Sequence, residues 1–409
     1  MPLIPITLHL IPAEFRQASR SPLLGCKLAS DLGVRFSHPA TVLPPRRPSM
    51  LRGALHVFLR LPALWLLTTL LFPLSLLAAE RPSVGAIRWD AWSGGRLTSE
   101  VEQTLSPEKY RFRLPWFATI DNAGSAHIDG SAPGVMEQEI AYAHEAGLNY
   151  WAFLAYPQSD TMSTALDRYL RSSKRADIGF CLILHQTLSV PAAQWPAERD
   201  RMLRLLQEPG YEKVGKQPLV YVFDLKMESP TIKQRLDELR ATAKAIGLDP
   251  YLVYMGWNPS SDYRTHAAEG FAAVSAYAHP GKEAVFAKYV TRVEMQSWAN
   301  ALENKIPFVP LVTTGWDKRP RQDHPVSWEK NPNYANQATF PATATPDEIA
   351  KHLGRALAFV KKNPDICPAN TIIVYAWNEH DEGGWLCPTW TPSGRPDTHR
   401  LDAIRRILK

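Results

Sequence analysis

From residue 84 onward the chain alternates between two hydropathy patterns. Eight runs of six to eight residues are almost continuously apolar: 84–89, 148–155, 178–185, 218–224, 250–256, 271–277, 307–313 and 371–377. Unbroken apolar runs of this length, rich in Val, Ile, Tyr and Phe, predict strands buried on both faces. Between them lie stretches with helical periodicity at 134–146 and 230–246, closed by Gly147 and Gly247, and at 163–173, 196–207, 283–303, 346–362 and 398–408. Thr345-Pro346-Asp347-Glu348 has the form of a helix start, with a capping hydroxyl, a proline in the first turn and two acids behind it. Eight β units alternating with helices predict a single (β/α)₈ barrel over residues 80–409. A doubly wound open sheet is the competing topology, but no G-x-G-x-x-G follows the first run. The long insertions, 90–130 and 314–345, are rich in Trp, Pro, Asp and Asn and are expected as loops on the catalytic face.

The segment before the barrel changes how the charge is read. The net charge of +6 suggests an anionic partner, yet residues 1–79 hold eight Lys/Arg against two Asp/Glu, and 80–409 hold 38 of each. The predicted barrel is balanced, so a nucleic-acid partner is not expected. Residues 50–79 form a basic start, a long apolar run and a small-residue end, which predicts a signal peptide, or a membrane anchor if uncleaved. Residues 1–49, Pro- and Arg-rich and aperiodic, are expected to be disordered or an upstream extension before a true start at Met50. The product is then secreted or periplasmic, and a monomer is expected. An oxidising compartment would allow Cys367 and Cys387 to pair, whereas Cys181 lies inside an apolar run and is expected to be a buried strand residue. No cysteine or histidine spacing resembles a zinc site, and no cofactor is expected.

In a barrel of this kind the chemistry lies at the C-terminal strand ends. Those ends carry Asp90 and Trp92, Tyr156, His185, Asp224, Trp257 and Asn258, Tyr277, Trp316, and finally Trp377 and Asn378, with Trp385 shortly after. Polar groups beside aromatic rings suit a saccharide, whose hydroxyls need fixed partners and whose ring faces pack on aromatics. Each aromatic taken singly is equally well explained as a cover for the barrel mouth. The basic run Lys318-Arg319-Pro320-Arg321 reads most simply as a solvated loop, with contact to an acidic polysaccharide as the alternative.

The most specific segment is Trp377-Asn378-Glu379-His380-Asp381-Glu382-Gly383-Gly384-Trp385. It places two glutamates three residues apart after the last strand, ahead of a Gly-Gly pair that permits a tight turn. Glycoside cleavage needs one carboxyl group to protonate the leaving oxygen and a second as base or nucleophile, which makes Glu379 and Glu382 the catalytic candidates. Most E-x-x-E pairs are solvated surface residues; the position after the eighth strand, between two tryptophans, is what distinguishes this one. His380 and Asp381 joining the glutamates as metal ligands is the alternative.

This segment, with GAIRWDAWSG (85–94) and EIAYAHEAGLNYWAFLAYP (139–157), resembles the glycoside hydrolase family 99 clan, which spans endo-α-mannosidase-type and WbsX-type proteins. The resemblance covers roughly residues 84–390. It implies a (β/α)₈ barrel and a metal-free, retaining, endo-acting mechanism on an α-linked glycan. The motif of that clan has the form Glu-Trp-His-Glu-Gly. By position, Glu379 would act as base on the sugar 2-hydroxyl, giving a 1,2-anhydro sugar, and Glu382 as general acid/base. Here His380-Asp381 replaces Trp-His, a departure that bears on α-mannan specificity more than on the glutamates. A non-catalytic carbohydrate-binding or surface-assembly protein on the same scaffold is the rival reading. The WbsX-type relatives raise a glycosyltransferase-like role, against which the export signal argues.

Overall fold

The computed structural model describes residues 81–223 and 229–409, and the predicted leader (1–49 and 50–79) lies outside them. All eight apolar runs supply strands: β1 (Ser83–Arg88), β2 (Tyr150–Ala155), β3 (Gly179–Leu184), β4 (Gln217–Phe223), β5 (Tyr251–Met255), β6 (Ala273–Ser275), β7 (Leu311–Thr313) and β8 (Thr371–Tyr375). They pair in parallel in the order β7-β8-β1-β2-β3-β4-β5-β6. The two ends of this sheet meet through a parallel bridge between Val274 and Phe308, just upstream of β7. The result is a nearly closed eight-stranded parallel barrel, and the open-sheet alternative is set aside.

Inside the barrel the polar tips find one another. Tyr150 Oη lies 3.0 Å from both Tyr221 Oη and Thr371 Oγ1, which satisfies three buried hydroxyls. The helices fall on the predicted stretches: α2 (Val135–Ala146), α3 (Thr164–Arg171), α4 (Trp195–Leu205), α5 (Pro230–Ala245), α7 (Phe286–Val293, running on through a π-turn at Glu294–Ala299), α9 (Pro346–Lys362) and α10 (His399–Leu408). The start of α9 is a reciprocal capping box between Thr345 and Glu348.

Three helices lie where loops were expected: α1 (Gly95–Leu105), α6 (Pro259–His266) and α8 (Arg319–Asp323). In α1 the buried positions Thr98, Val101, Thr104 and Leu105 recur every three or four residues, a weak stripe because two of its members are threonines. Among the described residues no helix is long and apolar enough to cross a membrane. The cysteines Cys181, Cys367 and Cys387 are all buried and free, so the pairing of Cys367 with Cys387 that an oxidising compartment would allow is not made. Cys181 sits in β3, as expected.

Candidate active site

The strand ends build a belt of rings around the barrel mouth. Trp89 after β1 donates its indole N–H to the Tyr156 hydroxyl after β2 at 3.0 Å. Tyr156 meets His185 edge-on at 5.9 Å, and His185 stacks on Phe223 at 5.8 Å. Phe223 stacks on Tyr277 at 4.3 Å, Tyr277 meets Tyr375 at 5.8 Å, and Tyr375 meets Trp316 at 5.9 Å. Two cations close the circle: Lys318 lies 4.7 Å from the Trp316 ring, and Arg321 lies 5.3 Å from the rings of Trp89 and Trp328.

Glu379 and Glu382 are engaged by members of this belt. The Tyr277 hydroxyl donates to Glu379 and the Tyr375 hydroxyl donates to Glu382. Glu382 is ion-paired with Lys318 at 2.9 Å and with Arg321, whose guanidinium also stands 3.8 Å from Glu379 Oε2. Both carboxyl groups therefore reach one arginine. The turn that carries them is tight because of glycine: Gly383 has φ +83°, and a Cβ there would stand 2.6 Å from the Asp317 nitrogen. Only that close approach lets Asp317 N–H donate to the Glu382 carbonyl at 2.6 Å, tying the β7 loop to the β8 segment.

The electrostatics separate the two acids. Burial pushes the Glu379 carboxyl well above the usual range, and the neighbouring Glu382 charge adds to this, outweighing Arg321. Burial pushes Glu382 the same way, but Arg321 and Lys318 more than offset it and hold that carboxyl below its ordinary value. Of the two, Glu379 is the carboxyl that holds a proton more readily and Glu382 the one that ionises first. Glu379 Oε2 has no hydrogen-bond partner.

Arg321 and Lys318 correct an expectation. The basic run is no solvated loop: Arg321 is 2 % and Lys318 6 % exposed. Burial is possible because four carboxylates surround them. Arg321 forks onto Asp381 at 2.7 and 3.1 Å, and Glu329 lies 2.9 Å from Arg321 and 2.8 Å from Lys318. The metal alternative loses its ligands to other partners. The His380 ring sits between Trp92 and Trp385 with Nδ1–H donated to the Arg113 carbonyl, and Asp381 is held by Arg321. Among the described residues no group of three or more His, Cys, Asp or Glu is placed to hold a metal ion.

Of the residues proposed to touch substrate, Tyr156, His185, Tyr277 and Trp316 meet in the belt. Each is buried, at 7–8 % exposure, as is Glu382, and Glu379 beneath them is 2 % exposed, so the rings pack closely over the pair. Others are turned elsewhere. Trp377 is fully buried and donates to Glu139 at 2.8 Å. Asp90 is ion-paired with Arg88 at 2.7 Å, and Asn378 binds the Trp89 backbone from both ends of its amide at 2.8 Å. These three brace the mouth from behind. Trp92 and Trp385 pack on either side of His380, and Asn258 caps α6 through Ser261 N–H at 3.1 Å. Trp257 is half exposed, and Asp224 lies outside the described residues. Sequence reasoning passed over Trp89, Phe223, Tyr375, Lys318 and Arg321. The first three were legible as ring-bearing ends of apolar runs; the cations were not.

As a fold, the chain is similar to a solved "Glycoside hydrolase-like protein" (TM-score 0.51, 12 % identity, covering 81 % of this chain and 94 % of that one). It is similar also to the GH99 endo-alpha-mannosidase from Bacteroides thetaiotaomicron in complex with bis-tris-propane (TM-score 0.50, 11 % identity, 80 % and 96 % covered). At these identities the likeness is one of fold. No curated protein matches the sequence. Residues 183–394, just over half the chain and including the whole Glu379–Glu382 segment, match the model of the family described as Glycosyltransferase WbsX. The chain belongs to the WbsX family, on a barrel like that of the GH99 enzymes.

Proposed function

We propose that the protein cleaves internal glycosidic bonds of an α-linked polysaccharide or glycan, with Glu379 and Glu382 doing the proton work. One observation carries this reading: two carboxyl groups, pushed apart in proton affinity, meet at one guanidinium within a belt of aromatic rings at the mouth of a barrel. The fold shared with an endo-alpha-mannosidase supports the endo mode, and the leader at 50–79 supports export to where such polymers are met.

In the free protein the pair is set the opposite way to the roles implied by the resemblance, in which Glu379 is the base and Glu382 the acid. Entry of a glycan reconciles them. A sugar hydroxyl beside Glu379 stabilises its carboxylate, and a leaving oxygen accepting a hydrogen bond from Glu382 favours the protonated form there. The proton then belongs to Glu382, facing the leaving oxygen, and Glu379 is free to deprotonate the sugar 2-hydroxyl. Collapse of that oxygen onto C1 expels the leaving sugar with the proton from Glu382; water, deprotonated by Glu382, then attacks C1, the C1–O2 bond breaks, and O2 takes its proton back from Glu379.

The assignment is tested with an α-glycoside bearing a p-nitrophenolate leaving group, which needs no proton. Glu382→Gln is expected to keep the first burst of p-nitrophenolate, with only the later ring opening slowed, and Glu379→Gln to lose the burst. The reverse pattern would make Glu379 the acid. The family description favours a second outcome of the same chemistry, in which an acceptor hydroxyl replaces water. Product length separates the two: hydrolysis shortens the chains, and transfer also produces longer ones.

A further inference from the structure

A cavity of about 620 Å³ lies beside the glutamate segment, and neither Glu379 nor Glu382 lines it. Its walls come from the loops after β1, β7 and β8. Phe112, Trp385 and Trp390 line it with rings; Arg111 and Arg400 line it with guanidinium groups; Glu108 and Asp397 are its exposed acids. It is one short ribbon away from the chemistry. Trp385 pairs across that ribbon with Asn378, and Gly384 pairs with Glu379.

Arg400 is the unusual member. It is 9 % exposed and lies flat over Trp385, 3.5 Å from the ring. Its Nη1 donates to the Trp385 carbonyl at 2.7 Å and its Nη2 to the Ala344 carbonyl at 3.2 Å. Two carbonyls orient the group but do not neutralise it, and among the described residues no carboxylate forms an ion pair with it. Burial pushes its pKa down to about 9, with Arg113 adding to this and the exposed Asp397 carboxylate only partly opposing it, so the cation is held where a closer anion would relieve it. Arg88, Arg113 and Arg321 are matched by carboxylates, Asp90 and Glu139, Asp317, and Asp381 and Glu382, whereas buried Arg235, like Arg400, holds two backbone carbonyls and lies over an indole ring, but away from this cavity.

We propose that this cavity is a second saccharide site, which takes a sugar unit bearing a carboxylate, a uronic acid residue. Arg400 receives the carboxylate, and Trp390 and Phe112 pack on the apolar face of the ring. The cavity volume accommodates one to two hexose units. The site extends the proposed glycan chemistry to an acidic polymer, and it is tested without catalysis.

Full-length protein is titrated with tetragalacturonate, reading tryptophan fluorescence and calorimetry, beside an uncharged tetrasaccharide and a sulfated one. The uronate is expected to bind, more weakly as salt rises, and the uncharged sugar to bind at least about tenfold more weakly. Trp390→Ala and Arg400→Lys are each expected to weaken uronate binding by about tenfold or more. Should Arg400→Lys fail to fold by circular dichroism, Trp390→Ala and Arg111→Gln decide. Glu382→Gln is expected to bind the uronate as the native protein does, so loss of catalysis and loss of this site are read separately. Absence of uronate binding, equal binding of the uncharged sugar, preference for the sulfated sugar, or binding indifferent to Trp390 and Arg400 would overturn the proposal.

Discussion

Arg321→Met removes the centre of the charge cluster at the barrel mouth. The arginine is 2 % exposed and serves Asp381, Glu329, Glu382 and, at 3.8 Å, Glu379, so its loss leaves several carboxylates facing one another with only Lys318 between them. Stripping one partner from a buried ion pair costs about 3–5 kcal/mol, because the remaining charge is neither solvated nor paired. Unfolding entropy of about 2.1 cal/mol/K per residue over the ordered barrel converts this to a fall in Tm of roughly 4–7 °C. The loss is also expected to depend on pH, with a sign fixed by Glu382. In the native protein that carboxyl is held below its ordinary value, so it stabilises the fold above the unfolded carboxyl pKa and ceases to do so as pH falls through the folded one. Without Arg321, burial raises it instead, and its contribution is then lost as pH rises. The stability gap between native protein and variant should therefore be wider at pH 7.5 than at pH 5. Urea unfolding at both pH values measures it. A gap below about 1 kcal/mol, or one that narrows with rising pH, would refute the charge arrangement described here.

Further expectations follow from individual side chains. Glu379, raised by burial and by the Glu382 charge, stabilises the fold while neutral and loses that contribution as pH rises through its elevated folded value. Glu379→Gln, neutral at every pH, should therefore gain stability relative to the native protein between pH 6 and pH 9, measured by urea unfolding. Gly383→Ala forces a Cβ to within 2.6 Å of the Asp317 nitrogen at φ +83°, and should cost about 2–4 kcal/mol by thermal unfolding and displace the Glu382 turn. Dithiothreitol should leave Tm unchanged, because Cys367 and Cys387 are free; a fall of several degrees would mean a bridge exists.

Much of the architecture was legible because hydropathy states it directly. Eight apolar runs became eight strands, with bounds shifted by at most four residues, since an unbroken apolar run has few other places to go in a barrel. The glutamate pair was legible from its place after the last strand and from the glycines that turn the chain there. The direction of individual side chains was not. Trp377 and Tyr375 are two residues apart at the same strand end, yet Tyr375 reaches Glu382 and Trp377 turns outward to Glu139 on α2. Asn258 carried a signal that was passed over: asparagine followed by proline is a helix cap before it is a sugar ligand, and α6 begins there. Lys318 and Arg321 were illegible for a stronger reason. Burial of a basic run requires acids that arrive from other segments, Glu329 from the same loop and Asp381 and Glu382 from β8, and no local pattern announces that meeting.

The central claim rests on two carboxyl groups acting together on a glycosidic bond. Its most direct measurement is oligosaccharide release from α-mannans and bacterial exopolysaccharides by the native protein, Glu379→Gln and Glu382→Gln, with folding and glycan binding checked on the same preparations. The native protein is expected to release new reducing ends from one of these polymers. Each variant should release them at least about a thousandfold more slowly while remaining folded and able to bind. Glycan bound by the native protein without any product, or a variant working at near-native rate, would contradict the account.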